Sequence, residues 1–233
     1  MAKHSRSRAP KLTYAHAALG AVVIAGSFVP TAAQAEKLPL SESQRVAVLA
    51  KAPKEEAGKP AAARPEAKVI PSATVVLSEA KKQVGVKENS AGGGTKFQNW
   101  YVGSQRARET VVRDGGDVSA YANAPWCAMF VSWVGEMTGA RTQVGWDAYT
   151  VTHAKWFKAN KRWGTAPKPG AVVFFAWDGS KRLDSIDHVG FVEKDNGDGT
   201  ISTIEGNTGN GAVEQRVRPK SQVVGYGYPS YGG

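Results

Sequence analysis

The sequence predicts an α+β protein in which N-terminal helices pack on a small antiparallel sheet. Two observations carry this prediction. Up to about residue 160, apolar residues recur at helical spacing behind capping residues, as in Ser72 followed by Val76, Leu77, Ala80 and Val84. From Pro169 the pattern changes to short β-rich runs at Ala171 to Trp177, Asp187 to Glu193 and Thr200 to Glu205. The last two runs flank Asn196-Gly-Asp-Gly199, a hairpin turn sequence. Helices first and antiparallel strands after define α+β rather than an alternating α/β chain.

The chain of 233 residues begins with a segment foreign to that fold. Lys3, Arg6, Arg8 and Lys11 form a basic start, Ala17 to Val29 is a short apolar run, and Ala33-Gln34-Ala35 is a small-x-small cleavage site. Residues 1–35 therefore read as a secretory signal peptide, with an apolar run too short for a membrane span. No later run is long and apolar enough to span a bilayer, so a secreted, extracellular or wall-associated protein is expected. Residues 36–71 are rich in Ala, Pro, Lys and Glu and contain no aromatic residue. Such a segment cannot bury enough apolar surface to offset its ordering entropy and reads as a disordered spacer. Residues 72–233 remain as the globular domain, and a monomer is expected.

The formal charge of +10 falls to +6 once the four basic residues of the signal peptide are removed. A basic surplus suits an anionic neighbourhood. The basic residues are scattered rather than striped, and no helix-turn-helix, zinc or aromatic-basic pattern is present, so nucleic acid is not the expected partner. A polyanionic cell wall is consistent with export.

Within the domain, Ser72 caps the first predicted helix, which stops near Gly85. Residues 89–123 are Gly-rich and read as irregular, broken by the aromatic patch Phe97-Gln-Asn-Trp-Tyr101. Pro125, an apolar run from Cys127 to Met137, and Gly139 punctuate the next helix. Asp147 is placed to cap a further helix through Trp156 to about Ala159.

Cys127 is the chain's single cysteine. In the first turn of its helix, free backbone N–H groups and the helix dipole favour a thiolate. Cys127, Phe130, Val131 and Val134 also fall at i, i+3, i+4 and i+7, so the cysteine could equally be a small core residue. Export bears on this choice. One unpaired cysteine builds no disulfide framework, and a free thiol outside the cell is open to oxidation, which favours a chemical role.

A thiol nucleophile needs a base, and His4 and His16 leave with the signal peptide. His153 lies on the apolar side of its helix and reads as packed. His188 stands early in a strand, with Gly190 two residues on along the same face. If Gly197 and Asp198 form the hairpin turn, paired positions sum to 395 and His188 faces Asn207; if Asn196 and Gly197 form it, the sum is 393 and His188 faces Glu205. In both registers His188, Glu205 and Asn207 share one face, and one polar neighbour can hold the Nδ1 hydrogen and fix the tautomer.

Pro125-Trp-Cys-Ala-Met-Phe-Val-Ser-Trp133, Pro169-Gly-Ala-Val-Val-Phe-Phe175, Asp187-His-Val-Gly-Phe-Val192 and Ile204-Glu-Gly-Asn207, in that order, resemble a CHAP domain, the cysteine-, histidine-dependent amidohydrolase/peptidase family with a papain-like fold. The closing Val224-Gly-Tyr-Gly-Tyr-Pro-Ser-Tyr231 resembles its last strand. Many relatives carry Asp after the Pro-Gly pair where this chain has Ala171, a position that looks structural. The resemblance implies Cys127 as nucleophile, His188 as base, Glu205 as orienter and Asn207 as an auxiliary polar member. It implies a peptidoglycan substrate cut at the muramoyl–L-alanine amide or within peptide stems and cross-bridges, and no cofactor.

Trp126 and the 97–101 patch are candidates to line a substrate groove, with buried core as the alternative. No metal is expected: the mature chain has no zinc-spaced cluster, and turn chemistry accounts for Asp114 with Asp117 and for Asp195 with Asp198. Some relatives bind calcium just before the nucleophile, at a place corresponding to the Asp114 loop. Two rival readings share much of this pattern: an exported cysteine endopeptidase acting on proteins, and a silent wall-binding module.

Overall fold

The computed structural model describes residues 69–233. The expected signal peptide at 1–35 and all but the last residues of the expected 36–71 spacer lie outside the described residues. The helices are α1 (Ala73–Lys81), α2 (Lys96–Gly103), α3 (Gln105–Asp114), α4 (Cys127–Met137), α5 (Arg141–Val144) and α6 (Thr150–Ala159). The strands are β1 (Trp163–Gly164), β2 (Val172–Phe175), β3 (His188–Asp195), β4 (Thr200–Thr208), β5 (Ala212–Pro219) and β6 (Val223–Gly227). They form one six-stranded sheet in the order β1-β6-β2-β3-β4-β5, every neighbour antiparallel. This is the α+β architecture predicted.

Ser72 caps α1 as expected, its hydroxyl accepting from the Val75 N–H at 3.4 Å. Val76 and Ala80 are buried, but the helix stops at Lys81 and Val84 is exposed. The larger correction concerns residues 89–123, which are mostly helical. α2 starts at a reciprocal capping box between Thr95 and Gln98, and α3 starts where the Ser104 hydroxyl accepts from the Ala107 N–H at 3.0 Å. These two caps outweigh the surrounding glycines.

α3 is amphipathic and strongly polar, and it is tied to the body of the protein by charge. Arg106 and Arg113 meet Asp147 Oδ2 at 2.7 and 2.8 Å. Burial pushes the Asp147 carboxyl up, but Arg113, the Tyr149 N–H and Arg106 together hold it below the usual range. Asp147 is therefore an anchor for α3; Tyr149, not Asp147, occupies the N-cap of α6.

α4 is the centre of the fold. Every residue from Cys127 to Gly135 is buried, so the helix is apolar all round and packed on all sides rather than along one stripe. Phe97 of α2 packs edge-on to Phe130, and Phe130 packs edge-on to Phe191 of β3. The sheet buries both faces. Val172, Phe174, Val189, Phe191 and Ile204 join the helix-side core, while Val173, Phe175, Val192, Ile201, Val223 and Tyr226 form a second core on the reverse face. This double burial explains why 171–177 is a continuous apolar run instead of an alternating one.

Candidate active site

The thiol and the imidazole come from the two halves of the fold. Cys127 is the first residue of α4, and helical bonding begins at the Phe130 N–H, which donates to the Trp126 carbonyl at 2.9 Å. No side chain caps this end, leaving first-turn N–H groups directed at the thiol's surroundings. His188 is the first residue of β3, and Cys127 and Glu205 are the two side chains that raise its pKa. Glu205 Oε2 lies 3.0 Å from His188 Nε2.

Two glycines make this approach possible. A Cβ on Gly206 would lie 2.5 Å from Phe130 Cβ and 2.8 Å from the Trp126 ring, so β4 can lie against the first turns of α4 only without a side chain there. A Cβ on Gly190 would lie 2.7 Å from Glu205 Cγ. The Glu205 side chain thus occupies the space that Gly190 leaves empty and reaches His188 across β3. A testable result follows. A Cβ on Gly190 would also lie 2.8 Å from the Ile204 carbonyl oxygen. Gly190→Ala should therefore displace the Glu205 carboxylate and strain the β3–β4 pairing, lowering kcat by roughly 10- to 100-fold, by analogy with loss of an outer-shell partner of a metal ligand. Wild-type kcat in that variant would show that the Glu205 contact is dispensable.

The hairpin register at the site is the one summing to 395, with Phe191 opposite Ile204 and Val192 opposite Thr203. Neither predicted two-residue turn produces it. The Asn196 N–H donates to the Thr200 carbonyl at 3.2 Å, enclosing a three-residue Gly197-Asp198-Gly199 loop, and a bulge between Val192 and Lys194 then shifts the register by one. His188 and Glu205 do share a face. Asn207 departs from the expectation: it has φ +53°, the β4–β5 pairing is irregular between Glu205 and Thr208, and its side chain makes no hydrogen bond to His188, Glu205 or Cys127. The period-two argument stops at Gly206, and Asn207 takes no part in holding the imidazole.

The ring nitrogens have roles opposite to those predicted. A carboxylate can only accept, so Nε2 carries the hydrogen donated to Glu205, and Nδ1 is left for the Cys127 thiol. Glu205 arrives over Gly190, from within the sheet, and so meets the ring edge carrying Nε2. Burial pushes the His188 pKa down, but the hydrogen bonds and charges of Cys127 and Glu205 outweigh it and bring it up to about 9. Burial pushes Glu205 up, and His188 and Arg218 outweigh it and bring the carboxyl down to about 2. Both shifts favour a charged imidazolium–carboxylate pair beside the thiol.

Arg218 was not anticipated. From β5 it binds Glu205 bidentately, Nε to Oε1 at 2.9 Å and Nη2 to Oε2 at 2.6 Å, while the Thr203 hydroxyl donates to Oε1 at 2.6 Å. Trp177 lies beside the same group, its ring 5.2 Å from that of His188. A signal for β5 exists in Val213-Glu-Gln-Arg-Val-Arg218, where Glu214, Arg216 and Arg218 fall on one face of an extended segment.

The other candidates resolve as follows. Trp126 does not line a groove: it is fully buried, stacked on Phe97, and its indole donates to Glu88 at 2.9 Å. Phe97 and Tyr101 are likewise core. His153 is packed, stacked on Phe157 with Nε2 2.6 Å from the Val144 carbonyl, and burial lowers its pKa. Asp114 pairs with Arg113, and Asp117 caps the 3₁₀ turn at Val118–Asn123 by accepting from the Ser119 N–H. Asp195 meets Lys220 at 2.6 Å, and Asp198 accepts from Thr200. No group of three or more His, Cys, Asp and Glu side chains placed to hold a metal occurs among the described residues.

A buried thiol at a helix start, with a histidine and a carboxylate presented from an antiparallel sheet, is an arrangement that can support thiol nucleophilic chemistry. Residues 118–207 match the family model of the CHAP domain, a family of amidases and peptidases. The match takes in Cys127, His188, Glu205 and Asn207 and ends before β5. Among curated proteins, no match to the chain is found.

Proposed function

We propose that this protein is a secreted peptidoglycan hydrolase, cleaving either the N-acetylmuramoyl–L-alanine amide or an amide of the peptide stems and cross-bridges. The observation that carries the reading is the Cys127–His188–Glu205 arrangement at the start of α4. His188 holds the proton while the Cys127 sulfur attacks the amide carbonyl, and the first-turn N–H groups of α4 face the developing oxyanion. The imidazolium then donates its proton to the leaving amine. Water, deprotonated by the neutral imidazole, hydrolyses the thioester and returns the thiol.

The substrate assignment rests on the domain family together with the chain's mature charge of +6 and its basic, apolar, Ala-Gln-Ala start. A cationic exported enzyme concentrates on an anionic wall. In this reading the signal peptide is removed after Ala35 and residues 36–71 tether the domain at a distance. One experiment tests these points together. Protein recovered from the medium of a secreting host should begin at Glu36 and should release fragments from purified peptidoglycan whose masses identify the new amine and carboxyl ends. Intact walls beside cysteine-dependent cleavage of casein would instead assign a protein endopeptidase, and wall binding without cleavage of either would assign a silent module.

A further inference from the structure

We propose that Arg218 is a positioning residue of this site: it fixes the Glu205 carboxylate in the one orientation that holds His188 toward Cys127. The inference rests on the hydrolase reading above. It concerns a residue on a strand beyond the matched segment.

A glutamate carboxylate rotates over a broad range unless its oxygens are held. Here both are. Oε1 accepts from Arg218 Nε at 2.9 Å and from the Thr203 hydroxyl at 2.6 Å; Oε2 accepts from Arg218 Nη2 at 2.6 Å and from His188 Nε2 at 3.0 Å. Arg218 is itself fixed. Its Nη2 also donates to the Thr208 hydroxyl at 2.8 Å, and its guanidinium lies 4.9 Å from the Trp177 ring, which in turn flanks His188. Its side chain is only 16% exposed. The planar fork suits this task, because it binds both carboxylate oxygens at once, which the single ammonium of a lysine cannot do.

Charge gives the fork a second effect. The ionisable side chains facing Glu205 are His188 from β3, Arg218 from β5, and Glu214, its register partner on β5. Glu214 is engaged by Arg216 at 2.9 Å. Arg218 is thus the fixed cation on Glu205, and it keeps the carboxylate ionised, hence an obligate acceptor for the Nε2 hydrogen. A neutral Glu205 could donate to Nε2 instead, which would move the ring hydrogen to Nδ1 and take the base away from the thiol.

The test compares Arg218→Met and Arg218→Lys with the wild-type full chain, reading peptidoglycan clearing and the rate of Cys127 alkylation by iodoacetamide across pH. Arg218→Met should lower kcat by roughly 10- to 100-fold with KM unchanged, as for loss of a residue that orients a reactive side chain. Its acid limb should also move to higher pH, because Glu205 then takes up a proton more readily. Arg218→Lys keeps the charge but not the fork, so it should lose rate while its acid limb stays near that of the wild type. The alkylation profile should shift in the same way without any substrate. Should Arg218→Met fail to fold by circular dichroism, Thr208→Val removes one hold on Arg218 and should lower kcat several-fold. Wild-type kcat and pH profiles in Arg218→Lys and Thr208→Val would overturn the proposal, as would an equal loss at every pH that simply tracks a lowered Tm. Shifted alkylation profiles with intact walls would keep the positioning role and remove the wall substrate.

Discussion

Cys127→Ser should reduce the clearing of a peptidoglycan suspension to the level without enzyme, a loss of roughly 10⁴-fold or more if the nucleophile acts as part of one unit with its base. The substitution changes one buried atom and leaves the packing of α4 against Phe97 and the sheet in place, so circular dichroism and wall pull-down should match the wild type. What it removes is acidity. A serine hydroxyl does not yield a stable anion beside His188, and the imidazole loses the larger of the two partners that raise its pKa. The His188 ring should therefore titrate below the wild-type value of about 9, which NMR of labelled histidine would show independently of any substrate. Hydrolysis surviving Cys127→Ser would remove Cys127 as the nucleophile.

How much of this was legible in the chain depends on the distance over which each signal acts. The α+β order, the α4 boundaries and the shared face of His188 and Glu205 are local or two-strand properties, and each followed from capping, punctuation or period-two alternation. The register shows the limit of that reasoning. A three-residue loop and a one-residue bulge offset each other before the chain reaches Phe191 and Ile204, and no sequence rule places a bulge at Glu193. α2 and α3 were hidden because glycines dominate their flanks while the cap at Thr95 and Gln98 is only two residues. Trp126 reads as either groove lining or core until Gly206 is seen to bring β4 onto it. Arg218 was the least accessible. Its function depends on a carboxylate two hydrogen-bonded strand pairings from β2, on a strand whose alternation is mostly charged and so looks like any solvated face.

The two histidines of the domain should respond to alanine in opposite ways. His188→Ala should abolish clearing as fully as Cys127→Ser, because no other group stands ready to accept the thiol proton or return it to the amine. His153→Ala leaves the site intact but empties a place among Phe157, Phe174 and Trp156, so it should cost stability, about 2 to 4 kcal/mol for a large buried ring side chain, while the folded fraction retains wild-type kcat. The pH dependence separates them further. His188 has a folded pKa raised from 6.5 to about 9. Its protonation therefore contributes stability that is fully present below pH 6.5 and is lost as pH rises through about 9. Wild-type Tm should fall across that window, and the activity should decline on the same limb as the imidazolium loses the proton it must give to the leaving amine. His188→Ala should flatten the Tm profile there, whereas His153→Ala should lower Tm at every pH and leave the alkaline limb of activity unmoved. An alkaline limb that shifts in His153→Ala, or a wild-type Tm that is constant from pH 6.5 to 9, would contradict the assignment of His188 as the charged partner of Cys127 and Glu205.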